Sequence, residues 1–419
     1  MTKIKNIMAE ITPRKGLILS KSLCNTQKLS NQEAHLSPAF PIMAVVFISY
    51  LVIGMALPSL PLYVHDDLKY GPTVVGVVAG GQFASALVTR FWAGMIADKK
   101  GAKYSVLLGL VLAFIGVGFY LASCASLSFK LLSVTFLFVG RIFLGGAESL
   151  IITGGMLWGL NLVSPNVSGK VMSWIGMSMF ASLAIGAPIG SIVYNQFNFT
   201  GVSTTSIFLI LASVLVVIKQ KNVTALSSKE RKRSESYKKI LSSVALPGII
   251  FALSGITFGA ITSFLVLYFT LSGWQYGAYA FALFAASLIV TRIIFGHLPD
   301  QLGGRTVTIY SLIIQITGLA ILASAQNELW AMLGTILSGI GFSLIFPSLG
   351  NVVVKTVSKT NRGIAIGTYN AFLDLTLGLG SPMLGGFANL YGLSSVFTIS
   401  AIASAIAIPA TLVLRAPTD

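Results

Sequence analysis

At residues 89–103 the chain reads TRFWAGMIADKKGAK, and at residues 291–305 it reads TRIIFGHLPDQLGGR. Six positions match at an offset of 202: a threonine, an arginine, a glycine, an aspartate, a second glycine and a final basic residue. Further along the chain the offset falls to 194, where the run Ser-Leu-Ile at 149–151 recurs at 343–345. The chain therefore has two halves that repeat one pattern.

The sequence around these stretches is strongly apolar. Of 419 residues, 55% are hydrophobic and only 10% are charged, whereas an ordinary soluble domain carries roughly 25% charged residues. A helix that crosses the ~30 Å hydrocarbon layer of a membrane uses about 20 apolar residues. The composition therefore excludes most classes of soluble enzyme and indicates an integral membrane protein.

Twelve long apolar stretches, separated by short polar breaks, predict twelve transmembrane helices. They lie near 40–64, 73–94, 104–124, 131–160, 170–194 and 203–218, and then near 244–270, 276–297, 306–325, 329–355, 363–388 and 394–414. We therefore expect an all-α membrane protein of two pseudo-symmetric six-helix bundles. The expected segments are a basic tail (1–38), the first bundle (39–218), a linker (219–243), the second bundle (244–415) and a short C-terminus (416–419).

The net charge of +16 predicts the orientation of the chain in the membrane. With the N-terminus in the cytoplasm, 23 of the 28 basic residues fall in the tail, the linker and the cytoplasmic loops, as the positive-inside rule requires. Both termini are then cytoplasmic, and the location is the inner (plasma) membrane. The basic segments lack the interleaved aromatic residues of a nucleic-acid-binding module, so we expect no nucleic-acid partner.

The sequence shows no sign of a metal site or a bound cofactor. Cys24 and Cys124 lie far apart and form no ligand spacing with the three histidines. Gly169 and Lys170 lack the upstream glycine of a phosphate-binding loop, so no ATP site is expected. We expect a monomer that is not an enzyme.

The stretch from Gly94 to Lys103 resembles the signature loop of the major facilitator superfamily, and the resemblance extends over nearly the whole chain from residue 39. In that family the loop latches the cytoplasmic face; the other reading is an ordinary solvated loop. The second copy has Pro299 before Asp300, so its geometry is expected to differ. The residues that the resemblance assigns to the latch are Arg90, Gly94, Asp98, Gly101 and Lys103, and then Arg292, Gly296, Asp300, Gly303 and Arg305.

Three charged residues fall near the middle of predicted helices. Arg141 and Glu148 are seven residues apart, so they share one helix face about 10 Å apart along the axis. Asp374 stands twelve residues, about 18 Å of helix, inside from Arg362. Charges at this depth usually face a cavity or a partner, and a protonatable carboxylate there suits proton coupling.

The residues around these charges also resemble the superfamily. Residues 141–148 resemble its fourth-helix arginine motif, whose arginine takes part in proton coupling; a permanent structural ion pair is the alternative. Residues 141–149, 346–348, 362–365 and 372–375 resemble one bacterial branch, which contains arabinose-efflux-like proteins and metallophore exporters.

The fifth helix carries Gly186-Ala187-Pro188-Ile189-Gly190, which resembles the motif of antiporters in this superfamily. Glycines four apart allow close helix contact and proline bends the helix, so Gly186, Pro188 and Gly190 are expected to form a hinge; a plain helix contact is the other reading. Polar residues that could line a cavity or bridge helices are Tyr50, Gln82, Tyr369 and Asn370.

These observations predict a secondary active transporter that works by alternating access on a small-molecule substrate. The favoured hypothesis is efflux of a small metabolite or metallophore in exchange for protons. The main alternative is a proton-coupled importer of a sugar or similar nutrient. An alternative of another class is a membrane sensor or scaffold that transports nothing.

Overall fold

A computed structural model describes residues 40–162, 168–220, 237–357 and 362–414. The expected basic tail (1–38), most of the linker and the C-terminal residues 416–419 lie outside these ranges. The side chains of Phe91 and Asp98, and those of 168–173, 237–239 and 362–364, are also outside what the structure describes.

The first half is built entirely of helices in its described residues. Helix α1 spans Phe40–Leu62 and continues into a wider π-helical turn, Tyr63–Asp67. Helices α2, α3 and α4 span Pro72–Lys100, Ala102–Ala125 and Lys130–Leu162. One long helical segment, Ser168–Lys219, follows; Asn198 divides it into α5 (168–197) and α6 (199–219).

The second half repeats this arrangement. Helices α7 and α8 span Tyr237–Leu271 and Gly277–Phe295, and a short turn, Leu298–Gln301, precedes α9, Gly304–Ala323. Helix α10 has two segments, α10a (Glu328–Ser343) and α10b (Ile345–Thr356). Helices α11 and α12 span Arg362–Tyr391 and Ser394–Val413. Helix α7 thus begins seven residues before the expected boundary at 244.

Eleven segments of the described residues are long and apolar enough to cross a membrane. One of them, Trp174–Lys219, has 46 residues, or about 70 Å of helix, which is enough for two crossings. Asn198 breaks this segment with non-helical backbone angles (φ 54°, ψ −166°). The prediction of a twelve-helix, all-α membrane protein is confirmed, with α5 and α6 joined by a single residue in place of the expected loop.

The outer surface of the bundle is apolar where lipid would contact it. Large hydrophobic side chains such as Val88, Phe208, Leu215 and Ile293 are more than half exposed. A soluble protein rarely exposes so much apolar surface. The charged side chains at membrane depth are, by contrast, buried or only partly exposed: Arg141 and Asp374 are buried, and Arg90, Glu148 and Arg292 are half-buried.

A hydrogen bond recurs in the two halves. The Ser149 hydroxyl on α4 donates to the carbonyl oxygen of Ala86 on α2 at 2.7 Å. The Ser343 hydroxyl on α10a donates to the carbonyl oxygen of Leu288 on α8 at 2.6 Å. Ser149 and Ser343 are 194 residues apart and Ala86 and Leu288 are 202 apart, so the contact reproduces both sequence offsets.

A close helix contact also recurs. A Cβ atom on Gly145 of α4 would collide with the carbonyl oxygen of Gln82 on α2, and one on Gly339 of α10a would meet the carbonyl oxygen of Phe284 on α8 at 2.7 Å. These positions are again related by 194 and 202 residues. The same glycine-mediated packing therefore brings α4 against α2 and α10a against α8.

The two copies of the repeated stretch differ, as the proline predicts. In the first copy, expected to be a loop from Gly94, helix α2 continues to Lys100. In the second, α8 ends at Phe295, because Pro299 has no N–H and its ring would clash with the carbonyl group four residues earlier. Both copies then turn at a glycine with positive φ, 98° at Gly101 and 82° at Gly303, a conformation that side chains disfavour.

The halves meet where α2 packs against α11 and where α5 packs against α8.

We call the end of the bundle that carries Lys100 and Arg305 the basic face, and the end that carries residues 68–71 and 392–393 the opposite face. From the opposite face to mid-membrane, α2 and α11 touch backbone to backbone: Cβ atoms on Gly80 and Gly378 would lie 2.8 Å from the Gly378 carbonyl oxygen and 2.9 Å from the Ala84 nitrogen, respectively.

Candidate functional site

Arg90 of α2 and Asp374 of α11 form an ion pair between the halves. The Arg90 Nε atom lies 2.8 Å from Asp374 Oδ2, and Nη2 donates to Oδ1 at 3.1 Å. The two groups are therefore joined by one hydrogen bond and one close charge contact, and Nε and Oδ2 do not complete the second parallel hydrogen bond of a bidentate pair. The side chains are 25% and 9% exposed, so the pair is largely removed from solvent.

The pair lies deep in the membrane-spanning region. Arg90 is ten residues before the end of α2 at Lys100, about 15 Å along the helix axis. Asp374 is twelve residues, or about 18 Å, from the start of α11 at Arg362. A charge at this depth is costly without a partner, and each of these residues neutralises the other.

Glu148 of α4 is held by two neutral donors. The Gln82 amide Nε2 donates to Oε2 at 2.8 Å, and the Tyr50 hydroxyl donates to Oε1 at 3.3 Å. Gln82 is fully buried and Tyr50 is 5% exposed. A small cavity of about 10 Å³, lined in part by Tyr50 and Glu148, has room for about one water molecule.

The two acids belong to one cluster. Asp374 interacts electrostatically with Glu148 and with Arg90, and Tyr50 with all three. Helices α1, α2, α4 and α11 thus bring together Glu148 and Asp374, which the sequence analysis singled out separately. Tyr50 and Gln82, predicted as polar cavity groups, are part of the same cluster.

Arg141 forms its hydrogen bond with the backbone of α2 and not with Glu148. It is only 1% exposed, and its Nη2 atom donates to the carbonyl oxygen of Ala79 at 3.2 Å. Of the described acidic side chains, none lies within ion-pair distance of Arg141. The structure thus separates Arg141 from Glu148, although both lie on α4.

Tyr369 and Asn370 take different positions in the second half. Tyr369 is fully buried, stacks on Phe251 with ring centroids 4.8 Å apart, and donates to the carbonyl oxygen of Phe346 at 3.3 Å. It therefore packs inside the second bundle. Asn370, the next residue of α11, is half-buried.

The fifth-helix glycines make the close contact that their spacing predicts, and the partner is α1. A Cβ atom on Gly186 would lie 3.0 Å from the carbonyl oxygen of Leu51, and one on Gly190 would collide with that of Met55. Pro188 stands between the two glycines within the helix. The contact lies inside the first half.

The remaining residues assigned to the latch have several roles. Lys103 donates to the carbonyl oxygens of Ile218 and Gln220 at 3.0 and 2.6 Å and so caps the end of α6. Asp300 accepts from the Asn351 amide at 2.8 Å. The side chain of Asp98 lies outside the described residues. Gly94 and Gly296 have no side chain to form a polar contact, and Arg305 has no polar side-chain contact in the structure as described.

Arg292 of α8 contacts both halves. Within its own half, its Nη2 atom donates to the carbonyl oxygen of Ser343 on α10a at 3.0 Å. Across the interface, its guanidinium carbon lies 5.2 Å from the centre of the Phe180 ring on α5. The sequence analysis placed Arg90 and Arg292 in the latch and did not predict their partners across the interface. A usable signal was present, since unpaired charges at membrane depth require partners.

Metal binding has no support in the described ranges: no group of three or more His, Cys, Asp or Glu side chains in them is placed to hold a metal ion.

Comparison with known families gives an extensive match. A family model described as Major Facilitator Superfamily matches residues 42–326 and 275–419. The chain is 34% identical over 370 residues to the uncharacterized MFS-type transporter YhhS of Escherichia coli, covering 88% of this chain and 90% of the relative. It is 36% identical over 363 residues to an uncharacterized MFS-type transporter of Pseudomonas aeruginosa, covering 87% and 89%.

Solved structures share the fold at low sequence identity. The nucleoside transporter NupG superposes with a TM-score of 0.67 and 16% identity, covering 90% of this chain and 98% of that one. A bacterial homologue of the human lysosomal transporter Spinster, in an inward-facing conformation, gives a TM-score of 0.70 and 12% identity, with 90% and 96% covered.

Proposed function

The chain belongs to the major facilitator superfamily, and on that premise we propose that it exports a small metabolite or metal-chelating molecule across the inner membrane in exchange for protons. Its relatives are named as transporters, so a multi-pass transporter with a small-molecule substrate is the class to which it belongs. The direction, the coupling ion and the substrate type are the content of the proposal.

The observation that carries the proposal is the ion pair between Arg90 and Asp374. It connects the two halves at membrane depth, and its acid can exist in a charged or a neutral form. Protonation of Asp374 removes the charge that holds Arg90, which weakens the contact between α2 and α11. A proton can thereby change how strongly the halves hold together, as proton-coupled alternating access requires.

Glu148 supplies a second protonatable group in the same cluster. Its two hydrogen-bond donors, Gln82 and Tyr50, are neutral, and among the described side chains none forms an ion pair with it. Two carboxylates that interact electrostatically resist being charged together. In the proposed function, the two acids of this cluster serve the exchange of a substrate against protons together.

The halves touch on the side of the membrane that the proposal places outside. With the basic face in the cytoplasm, α2 and α11 are packed backbone to backbone toward the outside. Thr73 and Asn389 add an inter-half hydrogen bond of 2.6 Å there. The Thr73–Asn389 and Arg90–Asp374 contacts thus join the halves at mid-membrane and nearer the outside. A carrier joined in this way can exchange substrate with the cytoplasm, which an exporter and an importer both do during their cycles, so the vesicle assay decides the direction. In the proposed cycle, the contact of α5 with α1 serves as a hinge.

The test uses everted membrane vesicles with a pH-sensitive dye in the lumen and no energy source. Pentoses and small carboxylate-rich metal chelators are added outside, on the former cytoplasmic side. An exchanger makes the lumen more alkaline, because substrate enters as protons leave. A proton symporter that normally imports makes the lumen more acidic, and that sign would overturn the export proposal.

The matched variants are Asp374→Asn and Asp66→Asn. Both remove one carboxylate charge, but Asp66 is exposed near the opposite face and pairs only with His65 among the described residues. Asp374→Asn should abolish the substrate-dependent change of lumen pH, whereas Asp66→Asn should keep it. Full proton-coupled flux in Asp374→Asn would contradict the role of Asp374. A chain that transports nothing would leave the lumen pH unchanged with every compound.

A further inference from the structure

The two arginines that reach across the interface are equivalent positions of the internal repeat. Arg90 and Arg292 are 202 residues apart, as are Ala86 and Leu288, whose carbonyl groups accept the recurring serine hydrogen bonds. The repeat relation at these helices therefore holds in three dimensions. Arg90 on α2 and Arg292 on α8 stand at the same place in their respective halves.

Their partners are equivalent positions too. The Gly-x-Pro pattern at 186–188 of α5 recurs at 380–382 of α11, an offset of 194. At the same offset, Phe180 matches Asp374. The contact of Arg292 with Phe180 is thus the symmetry mate of the contact of Arg90 with Asp374.

The two contacts differ in their chemistry. On α11 the partner is a carboxylate, 2.8 Å from the arginine Nε atom. On α5 it is an aromatic ring whose centre lies 5.2 Å from the guanidinium carbon. A cation–π contact depends on the ring quadrupole, which no proton changes, whereas an ion pair loses its attraction when the carboxylate is neutralised.

The helices packed around Asp374 determine which charged groups can act on its carboxylate. Arg90 from α2 contacts it directly, and Glu148 from α4 and Tyr50 from α1 interact with it electrostatically. Helix α12 has no Asp, Glu, Lys, Arg or His residue. Helix α7 packs Gly248 and Gly255 against the residues just before Asp374, and α10b contacts α11 through Phe346 and the Tyr369 hydroxyl.

We propose that the two interfaces between the halves respond differently to protons. The Arg90–Asp374 contact opens when Asp374 is protonated, whereas the Arg292–Phe180 contact holds in every protonation state. Phe180 is then a positioning residue: it keeps α5 against α8 while α2 and α11 separate. This inference rests on the proposed proton coupling and adds which side of the protein responds.

The test exchanges the two partners. Asp374→Phe copies the α5–α8 contact onto α2–α11, and Phe180→Asp copies the ion pair onto α5–α8. Spin labels at Lys99→Cys on α2 and Lys355→Cys on α10b, in a chain with Cys24→Ala and Cys124→Ser, report the distance between the halves at the basic face. The purified protein is measured in lipid nanodiscs at mildly acidic and mildly alkaline pH.

The expected result has three parts. The parent chain changes its distance distribution with pH, Asp374→Phe abolishes that change, and the double variant Asp374→Phe with Phe180→Asp regains it. The double variant Asp374→Phe with Phe180→Asn is the matched control, because asparagine has the size of aspartate but cannot be ionised; it should stay insensitive to pH.

The possible failures are distinguishable. If Asp374→Phe loses the response and Phe180→Asp does not regain it, the equivalence of the two contacts is wrong while the proposed function stands. If Asp374→Phe and the isosteric Asp374→Asn both keep the full response, the role of the ion pair is wrong and so is the proposed role of Asp374 in coupling. A parent chain that does not respond to pH also overturns the inference, and the vesicle assay then decides the function separately.

Discussion

Arg90 and Asp374 are 284 positions apart in the sequence, yet their side chains meet with 2.8 Å between nitrogen and oxygen. Because one lies in each half, this contact contributes to the stability of the fold, and the proposed function also gives it a part in the movement of the halves. The contribution to stability can be measured separately.

The stability of the ion pair is tested by removing its members singly and together. Arg90→Ala leaves the Asp374 carboxylate buried without a partner, which should destabilise the protein by about 3 kcal/mol. Asp374→Ala should cost less, because Arg90 is 25% exposed and can be solvated. The double variant should cost less than the sum of the single changes. Unfolding in mixed micelles measures the cycle, and strictly additive effects would show that the residues do not interact.

The two donors to Glu148 should differ in importance. Gln82→Leu removes a 2.8 Å hydrogen bond to a carboxylate, and such bonds contribute about 1.5–3 kcal/mol. Tyr50→Phe removes a longer contact of 3.3 Å and should cost clearly less. The same unfolding measurement compares them. Equal losses would mean that the distances do not reflect the strength of the two bonds.

The recurring glycine contacts predict paired effects. Gly145→Ala and Gly339→Ala each put a methyl group against the backbone of a neighbouring helix, so each should destabilise its half by about 1–3 kcal/mol through overpacking. Gly118→Ala is the control, since a Cβ atom there meets nothing within 4 Å. Wild-type stability in both core variants would disprove the close approach of α2 to α4 and of α8 to α10a.

The glycines at the ends of the repeated stretch should be replaceable only at a cost. Gly101 and Gly303 have φ values of 98° and 82° with ψ values of 154° and 145°, a region that is essentially restricted to glycine. Substitution with alanine should destabilise the protein by about 1–3 kcal/mol. Gly94→Ala, in open space within helix α2, should be neutral or slightly stabilising. If all three variants behave alike, the turn conformation is not what requires glycine.

The positions of the helices could be predicted from the sequence because each crossing needs about 20 apolar residues. The charged residues at membrane depth could be found for the same reason: Glu148 and Asp374 stand out from apolar surroundings. Pro299 predicted that the second copy of the repeated stretch would differ, and α8 indeed ends four residues before it.

The contacts between helices could not be predicted in the same way. A helix that is apolar all round gives no indication of which face meets which neighbour, so the partners of Arg90, Arg292 and Arg141 had to come from the structure. The first copy of the repeated stretch also looked like a loop, because its charged residues resemble a polar break. It is helical as far as Lys100 and ends at Gly101, which has a positive φ of 98°, as is common for a glycine at the end of a helix.

Asn198 has a consequence for how the protein is made. It is the one residue between α5 and α6, and it turns the chain with a positive φ of 54° and a ψ of −166°, a conformation outside the left-handed helical region that asparagine tolerates. Two crossings that are joined so tightly should enter the lipid together as a helical hairpin. Neither can then invert without the other, because a single residue cannot span the membrane.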